Sequence, residues 1–286
     1  MHASLPPTES LVDAYTPREI AHRVEVLGVT KARSDAVTAL VLAILAGAFI
    51  ALGALCFIVV VTHALSGFGM TRLVGGIAFS LGLILVVIGG AELFTGNNLV
   101  AMAWASRRIT SRELWRHWGL VYLGNAVGAL GTVGLVLLGH VHQLGEGAVG
   151  ATALAIGRHK AALGVSEAVA LGVLCNALVC LAVWLAMGGR TVTDKVLAVV
   201  FPITAFVTMG LEHSVANMFF LPYAWALGGM HDPQFVVGAL RNLGAVTLGN
   251  LGGGTLLVAG VYWLAYLRPS RKTAGMAEPP VHAGKP

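Results

Sequence analysis

The 286-residue chain is 57% hydrophobic and only 11% charged, with a mean hydropathy of +0.81. That composition excludes an ordinary soluble domain and points to a polytopic membrane protein. The formal charge of +5 is no nucleic-acid signature, because the basic residues flank apolar runs instead of forming a stripe.

Residues 1–16 hold two prolines, mixed charges and little apolar content, and are expected to be a mobile tail. Ile20, Val24, Leu27 and Lys31 then recur at helical spacing behind Thr16-Pro17, an N-cap followed by a first-turn proline. This predicts a short helix at the membrane interface, so that residues 1–33 form a cytoplasmic tail and amphipathic helix. The first apolar run is too late and too long for a signal-peptide core. Six apolar spans are predicted near 36–62, 73–103, 118–139, 162–187, 196–228 and 243–267, within a channel-like domain over 34–267. Residues 268–286 have no apolar periodicity and are expected to be a disordered cytoplasmic tail. Cys56, Cys175 and Cys180 sit inside apolar runs and read as small buried hydrophobes.

Basic residues set the orientation. With the N-terminus cytoplasmic, fourteen of the eighteen Lys and Arg fall inside, and only Arg72, Arg158, Lys160 and Arg241 outside. Both termini are therefore expected in the cytoplasm. The connection over 140–161 is the longest external one; its His140, His142 and His159 lack metal-ligand spacing and read as solvated loop histidines.

The second and fifth spans are interrupted by matching stretches, Gly90-Ala91-Glu92-Leu93-Phe94-Thr95-Gly96-Asn97 and Gly210-Leu211-Glu212-His213-Ser214-Val215-Ala216-Asn217, the second 120 positions after the first. Ser34-Asp35-Ala36-Val37 is likewise matched by Ser166-Glu167-Ala168-Val169, and Leu123-Gly124-Asn125 by Leu248-Gly249-Asn250. Three landmarks in one order argue for an internal duplication. Three spans per half make the halves inverted, and paired broken helices mark a permeation site at the repeat interface.

His213 is the one histidine of ten predicted deep in an apolar span. Imidazole titrates near neutrality and both donates and accepts, which suits a proton-coupled anion path. Thr95, at the corresponding break, offers a hydroxyl or a helix cap. Broken helices leave free N–H groups that attract anions. Glu92 and Glu212 are expected to satisfy backbone donors stranded at the breaks, with Asn97 and Asn217 serving the same purpose. Lys31 and Lys160 precede the first span of each half, on opposite sides. A cation in each mouth would concentrate anions.

Ala91-Glu92-Leu93-Phe94-Thr95-Gly96-Asn97, Glu212-His213-Ser214-Val215-Ala216-Asn217-Met218-Phe219-Phe220-Leu221-Pro222 and Asn176-Ala177-Leu178-Val179-Cys180-Leu181-Ala182-Val183-Trp184 closely resemble the motifs of the formate/nitrite transporter family. The likeness runs from about Lys31 to Leu267. It implies an all-α homopentamer with a pore in each protomer, each an aquaporin-like 3+3 inverted repeat of six transmembrane helices with helices 2 and 5 broken. It also implies that His213 is the central pore histidine with Thr95 its partner, Asn176 nearby, and Lys31 and Lys160 the vestibule lysines. Phe79, Leu83, Leu93, Phe94 and Phe206 fall at the family's apolar constrictions. Gly96-Asn97-Asn98 after Phe94-Thr95 is nitrite-like, whereas Met218-Phe219-Phe220-Leu221-Pro222 is formate-like.

The expected function is transport of small monovalent weak-acid anions across the plasma (inner) membrane, formate slightly ahead of nitrite, coupled to protons at His213. No cofactor, metal, nucleic-acid partner or enzymatic activity is expected. A neutral-solute channel of aquaporin type would carry Asn-Pro-Ala at both breaks, and neither has it. A membrane enzyme with a Glu92, Glu212 and His213 metal site would need further inward ligands at helical spacing.

Overall fold

Helix α1 (Pro17–Ala32) opens on a capping box. Thr16 Oγ1 accepts from the Glu19 N–H, and the Glu19 carboxylate accepts from the Thr16 N–H at 2.7 Å. In the computed structural model, which describes residues 13–63, 67–229 and 232–268, every regular element is helical. The tails expected over 1–12 and 269–286 lie outside those residues.

Helix α2 (Ala36–Val61) is capped by Asp35, and α3 (Gly67–Gly89) follows it. An extended stretch leads into a 3-10 turn (Gly96–Val100) and the short α4 (Ala101–Ala105). Then come α5 (Ser111–Leu138), α6 (Ala148–Ala162), α7 (Val165–Gly188) and α8 (Val192–Thr208). After a second extended stretch, α9 (Ser214–Ala224) precedes α10 (Pro233–Gly252), which runs on in wider turns to Leu267.

Five of these are long and apolar enough to cross a membrane: α2, α3, α5, α7 and the continuous run Pro233–Leu267. Helices α8 and α9, at 17 and 11 residues, are each shorter than the roughly 20 needed. The third and last spans start earlier than hydropathy predicts. The Thr110–Glu113 capping box starts α5 at Ser111, and the Asp232 cap with Pro233 starts α10. Polar first turns hide such starts from an apolarity count. The connection over 140–161 is mostly helix α6, not loop.

Helix α1 packs on the rest of the chain. Its Ile20, Ala21, Val24 and Ala32 are buried against the chain's own bundle, and it shares a narrow cavity of about 50 Å³ with Asn97 and Val183.

Helix pairs meet backbone to backbone. A Cβ on Gly47 would lie 2.0 Å from the Asn125 carbonyl oxygen, and one on Gly128 would lie 1.9 Å from that of Ile44. The α7–α10 contact repeats this: a Cβ on Gly253 would meet the Val173 oxygen at 2.1 Å. Backbone on the far side cannot yield as a flexible side chain can. Gly128→Ala and Gly253→Ala are therefore each expected to destabilise the protein by about 1–3 kcal/mol or more, read as lower melting temperatures in mild detergent. Unchanged melting would show that these helices separate freely.

Candidate functional site

Both breaks end a helix in the same way. Gly90 and Gly210 take positive φ, +75° and +73°. The Ala91 N–H then donates to the Val86 carbonyl, and the Leu211 N–H to that of Phe206, both at 3.0 Å. This is the left-handed glycine termination of a helix, and a side chain at either glycine would strain it.

Beyond each glycine the chain is extended, which strands polar backbone in the middle of an apolar bundle. The neighbouring helices take it up. The Glu92 N–H donates to the Leu42 carbonyl (3.1 Å) and the Glu212 N–H to that of Leu171 (3.4 Å). The Asn125 carboxamide donates to the Glu92 and Ala43 carbonyls (2.9 and 2.8 Å) and accepts from the Phe94 N–H (2.9 Å). Asn250 does the same for Glu212, Gly172 and Ser214 at 2.9, 2.8 and 2.8 Å.

This corrects the expectation that the Glu92 and Glu212 carboxylates satisfy the stranded donors with help from Asn97 and Asn217. Those carboxylates hold lysines instead. Lys31 Nζ donates to Glu92 Oε2 and Asn97 Oδ1, both at 2.9 Å. Lys160 Nζ donates to Glu212 Oε1 at 2.7 Å, while Asn217 Nδ2 donates to Glu212 Oε2 at 2.7 Å. A carboxamide presents donor and acceptor together and so suits a broken backbone; a carboxylate can only accept. The Lys160–Glu212 pair is nearly dry, with side chains 12% and 4% exposed. Lys160→Met would leave Glu212 buried without its cation, at a cost of about 3–5 kcal/mol. Adding Glu212→Gln should recover most of the lost melting temperature; no recovery would mean the pair is not what holds this region.

At the meeting of the two breaks, His213 Nε2 lies 2.9 Å from Thr95 Oγ1, and both residues are buried. His213 is also the N-cap of α9: its Nδ1 accepts from the Ala216 N–H at 3.0 Å. An accepting Nδ1 carries no proton, so the network assigns the hydrogen of the neutral ring to Nε2, which donates to Thr95. The Thr95 hydroxyl hydrogen is then free to donate onward.

Asn176 does not bond the histidine. It ties the Thr95 loop to the last helix, donating to Asn98 Oδ1 and the Asn250 carbonyl at 2.7 Å and reaching the Thr95 carbonyl at 3.3 Å.

A cavity of about 290 Å³ leads to His213. Phe57, Phe79, Phe206 and Phe220 line it, with Arg72, His159, Lys160 and Glu212 at its polar side. Phe79 meets Phe206 edge-on at 5.6 Å, and Phe206 stacks on the His213 ring at 5.9 Å. Leu83, Leu93 and Phe94 are buried, Phe94 edge-on to Tyr122, and none of the three lines this cavity. His140 and His142 sit beside each other, away from the site, whereas His159 reaches the cavity wall. Among the described residues no three His, Cys, Asp or Glu side chains converge as metal ligands.

Several residues here were not singled out from sequence. His117 is a second buried histidine, 1% exposed, with Nε2 at 3.2 Å from Asn97 and 3.8 Å from Glu92. It corrects the expectation that His213 is alone in depth, and it was missed because α5 starts before the apolar run. Its counterpart 125 positions on is Asn242, which accepts from Asn217 at 2.8 Å. The same offset relates Asn125 to Asn250, so the repeated Leu-Gly-Asn landmark held the signal.

Residues 18–264 match the family described as formate/nitrite transporter. The chain is 41% identical to the formate channel FocA of Escherichia coli (strain K12) over 273 residues, covering 90% of this chain and 96% of that one. A solved structure described as a pentameric formate channel with formate bound superposes with a TM-score of 0.74 at 40% identity, covering 82% of this chain and 98% of the other. A second, described as an FNT family ion channel, gives 0.77 at 30% identity, with 86% and 98% covered. The chain belongs to the formate/nitrite transporter family, whose members are membrane transporters rather than enzymes.

Proposed function

We propose that this protein is a channel for formate and similarly small monovalent weak-acid anions, nitrite behind formate, in the plasma (inner) membrane. It works as a homopentamer with a pore in each protomer and both termini in the cytoplasm. Helix α3 with the Gly96–Ala105 segment makes one interrupted crossing, and α8 with α9 makes another. With α2, α5, α7 and α10 they form six crossings in a 3+3 inverted repeat, followed at 268–286 by a cytoplasmic tail.

The observation that carries this reading is the His213–Thr95 contact at the end of a phenylalanine-lined cavity. The relatives named as formate channels supply the substrate. An anion entering between Phe79 and Phe206 loses hydration, and desolvation favours the neutral form of a weak acid. The Thr95 hydroxyl, fed by His213 Nε2–H, offers it a hydrogen bond. Donation of the Nε2 proton itself requires that Nδ1 first gain one, and Nδ1 gains one only when the Ala216 N–H bond opens. Proton transfer is thereby tied to movement in the first turn of α9. A strong-acid anion such as chloride cannot be neutralised this way.

Purified protein in liposomes should pass formate, nitrite more slowly, and chloride hardly at all. Chloride flux equal to formate flux would overturn the reading. Native mass spectrometry in mild detergent should give a pentamer; a monomer or dimer in every detergent would remove that part.

A further inference from the structure

Lys160 faces the external cavity, but its charge is taken up by Glu212 at 2.7 Å. The pair together adds no net charge to draw an anion. Arg72 lines the same cavity and, among the described residues, forms no ion pair. Its Nε donates to the Thr208 carbonyl at 3.3 Å and its Nη2 to that of Val207, the last carbonyls of α8. Those bonds use two of the five guanidinium N–H groups and leave three without a protein partner among the described residues. The guanidinium also sits 5.7 Å above the Phe57 ring, at the start of the apolar path. Gly210 packs beside it: a Cβ there would lie 3.2 Å from Nη2, a contact that a small shift of the side chain would relieve.

We infer that Arg72, not Lys160, is the residue that draws substrate into the external vestibule, and that its planar fork favours flat two-oxygen anions over spherical ones. The inference rests on the channel reading above. The carbonyls at the end of α8 offset part of the charge, and among the described residues the one carboxylate that shares the cavity, Glu212, is paired with Lys160. A guanidinium pairs with a planar carboxylate through two parallel N–H bonds, which an ammonium does not reproduce. Formate and nitrite have that shape, and halides do not. Lys160 then serves mainly to stabilise the Glu212 turn.

The test is formate uptake from the external side into liposomes, at low and high ionic strength, for wild type, Arg72→Gln and Arg72→Lys. Arg72→Gln should raise KM for formate about tenfold, with a smaller change in kcat, and should abolish most of the salt dependence of KM. Arg72→Lys should keep the salt dependence while losing preference for formate over bromide as a competing anion. A purely structural role in holding the end of α8 would lower the melting temperature of both variants but leave the salt slope of KM unchanged. If Arg72→Gln folds and shows wild-type KM and salt slope, the inference is wrong. If it fails to insert, a folded Arg72→Lys with a salt-independent KM overturns it equally. Absence of formate flux in the wild type would instead strike the channel reading and is read separately.

Discussion

His213→Phe is expected to abolish formate flux while leaving assembly and insertion intact. Phenylalanine fills the ring's space beside Phe206, so packing survives. What goes is the Nε2–H that feeds Thr95 and the Nδ1 that caps α9. Loss of an N-cap costs about 1 kcal/mol, a modest fall in melting temperature. Loss of the Nε2–H that polarises the Thr95 hydroxyl leaves a dry, phenylalanine-lined path with a weaker substitute for the hydration of an anion. Flux should fall by two orders of magnitude or more, as for removal of a single preorganised donor from a dry site. A Phe variant that transports formate within a few-fold of wild type would remove the histidine from the path.

The second large effect concerns structure. Asn250→Leu is expected to destabilise the protein by roughly 2–6 kcal/mol and to lower its yield in membranes. Leucine is close to asparagine in size but leaves the Ser214 N–H without its acceptor and the Glu212 carbonyl without its donor. Each buried unsatisfied polar group costs about 1–3 kcal/mol. The turn that presents His213 would then lose its shape. Asn125→Leu should do the same at the Thr95 loop through Phe94 and Glu92. Comparable melting temperatures for wild type and both variants would show that water, and not these carboxamides, satisfies the breaks.

The membrane class and the duplicated break motifs were legible in the residues themselves, whereas a pairing of His213 with Thr95 was implied by the family resemblance alone. Apolar runs of spanning length announce themselves, and the recurrence of Gly-x-Glu-x-x-x-x-Asn 120 positions on marks the break in each half. The roles around the breaks were less legible. Which side chain satisfies a stranded carbonyl depends on reach across helices, and sequence spacing carries none of that distance. Glu92 and Glu212 lie beside the stranded groups in the chain, yet Asn125 and Asn250 reach them in space. His117 and Arg72 were hidden for a related reason. Each sits in the first turns of a helix whose start hydropathy places too late, so both read as flanking polar residues. Lys160 was found by position, but its neutralisation by Glu212 belongs to the folded state alone.

Passage of a weak acid is proposed to depend on a titratable group, His213, at the meeting of the two breaks. The most direct measurement is formate flux against pH for wild type and His213→Asn, side by side in liposomes. Asparagine is a good N-cap and can keep the Ala216 bond, so α9 should hold its place, but it cannot take up a proton. Wild-type flux should rise as pH falls, and the Asn variant should pass formate with a much flatter profile. Superimposable pH profiles would contradict it, leaving His213 as a structural cap and hydrogen-bond donor to the Thr95 loop.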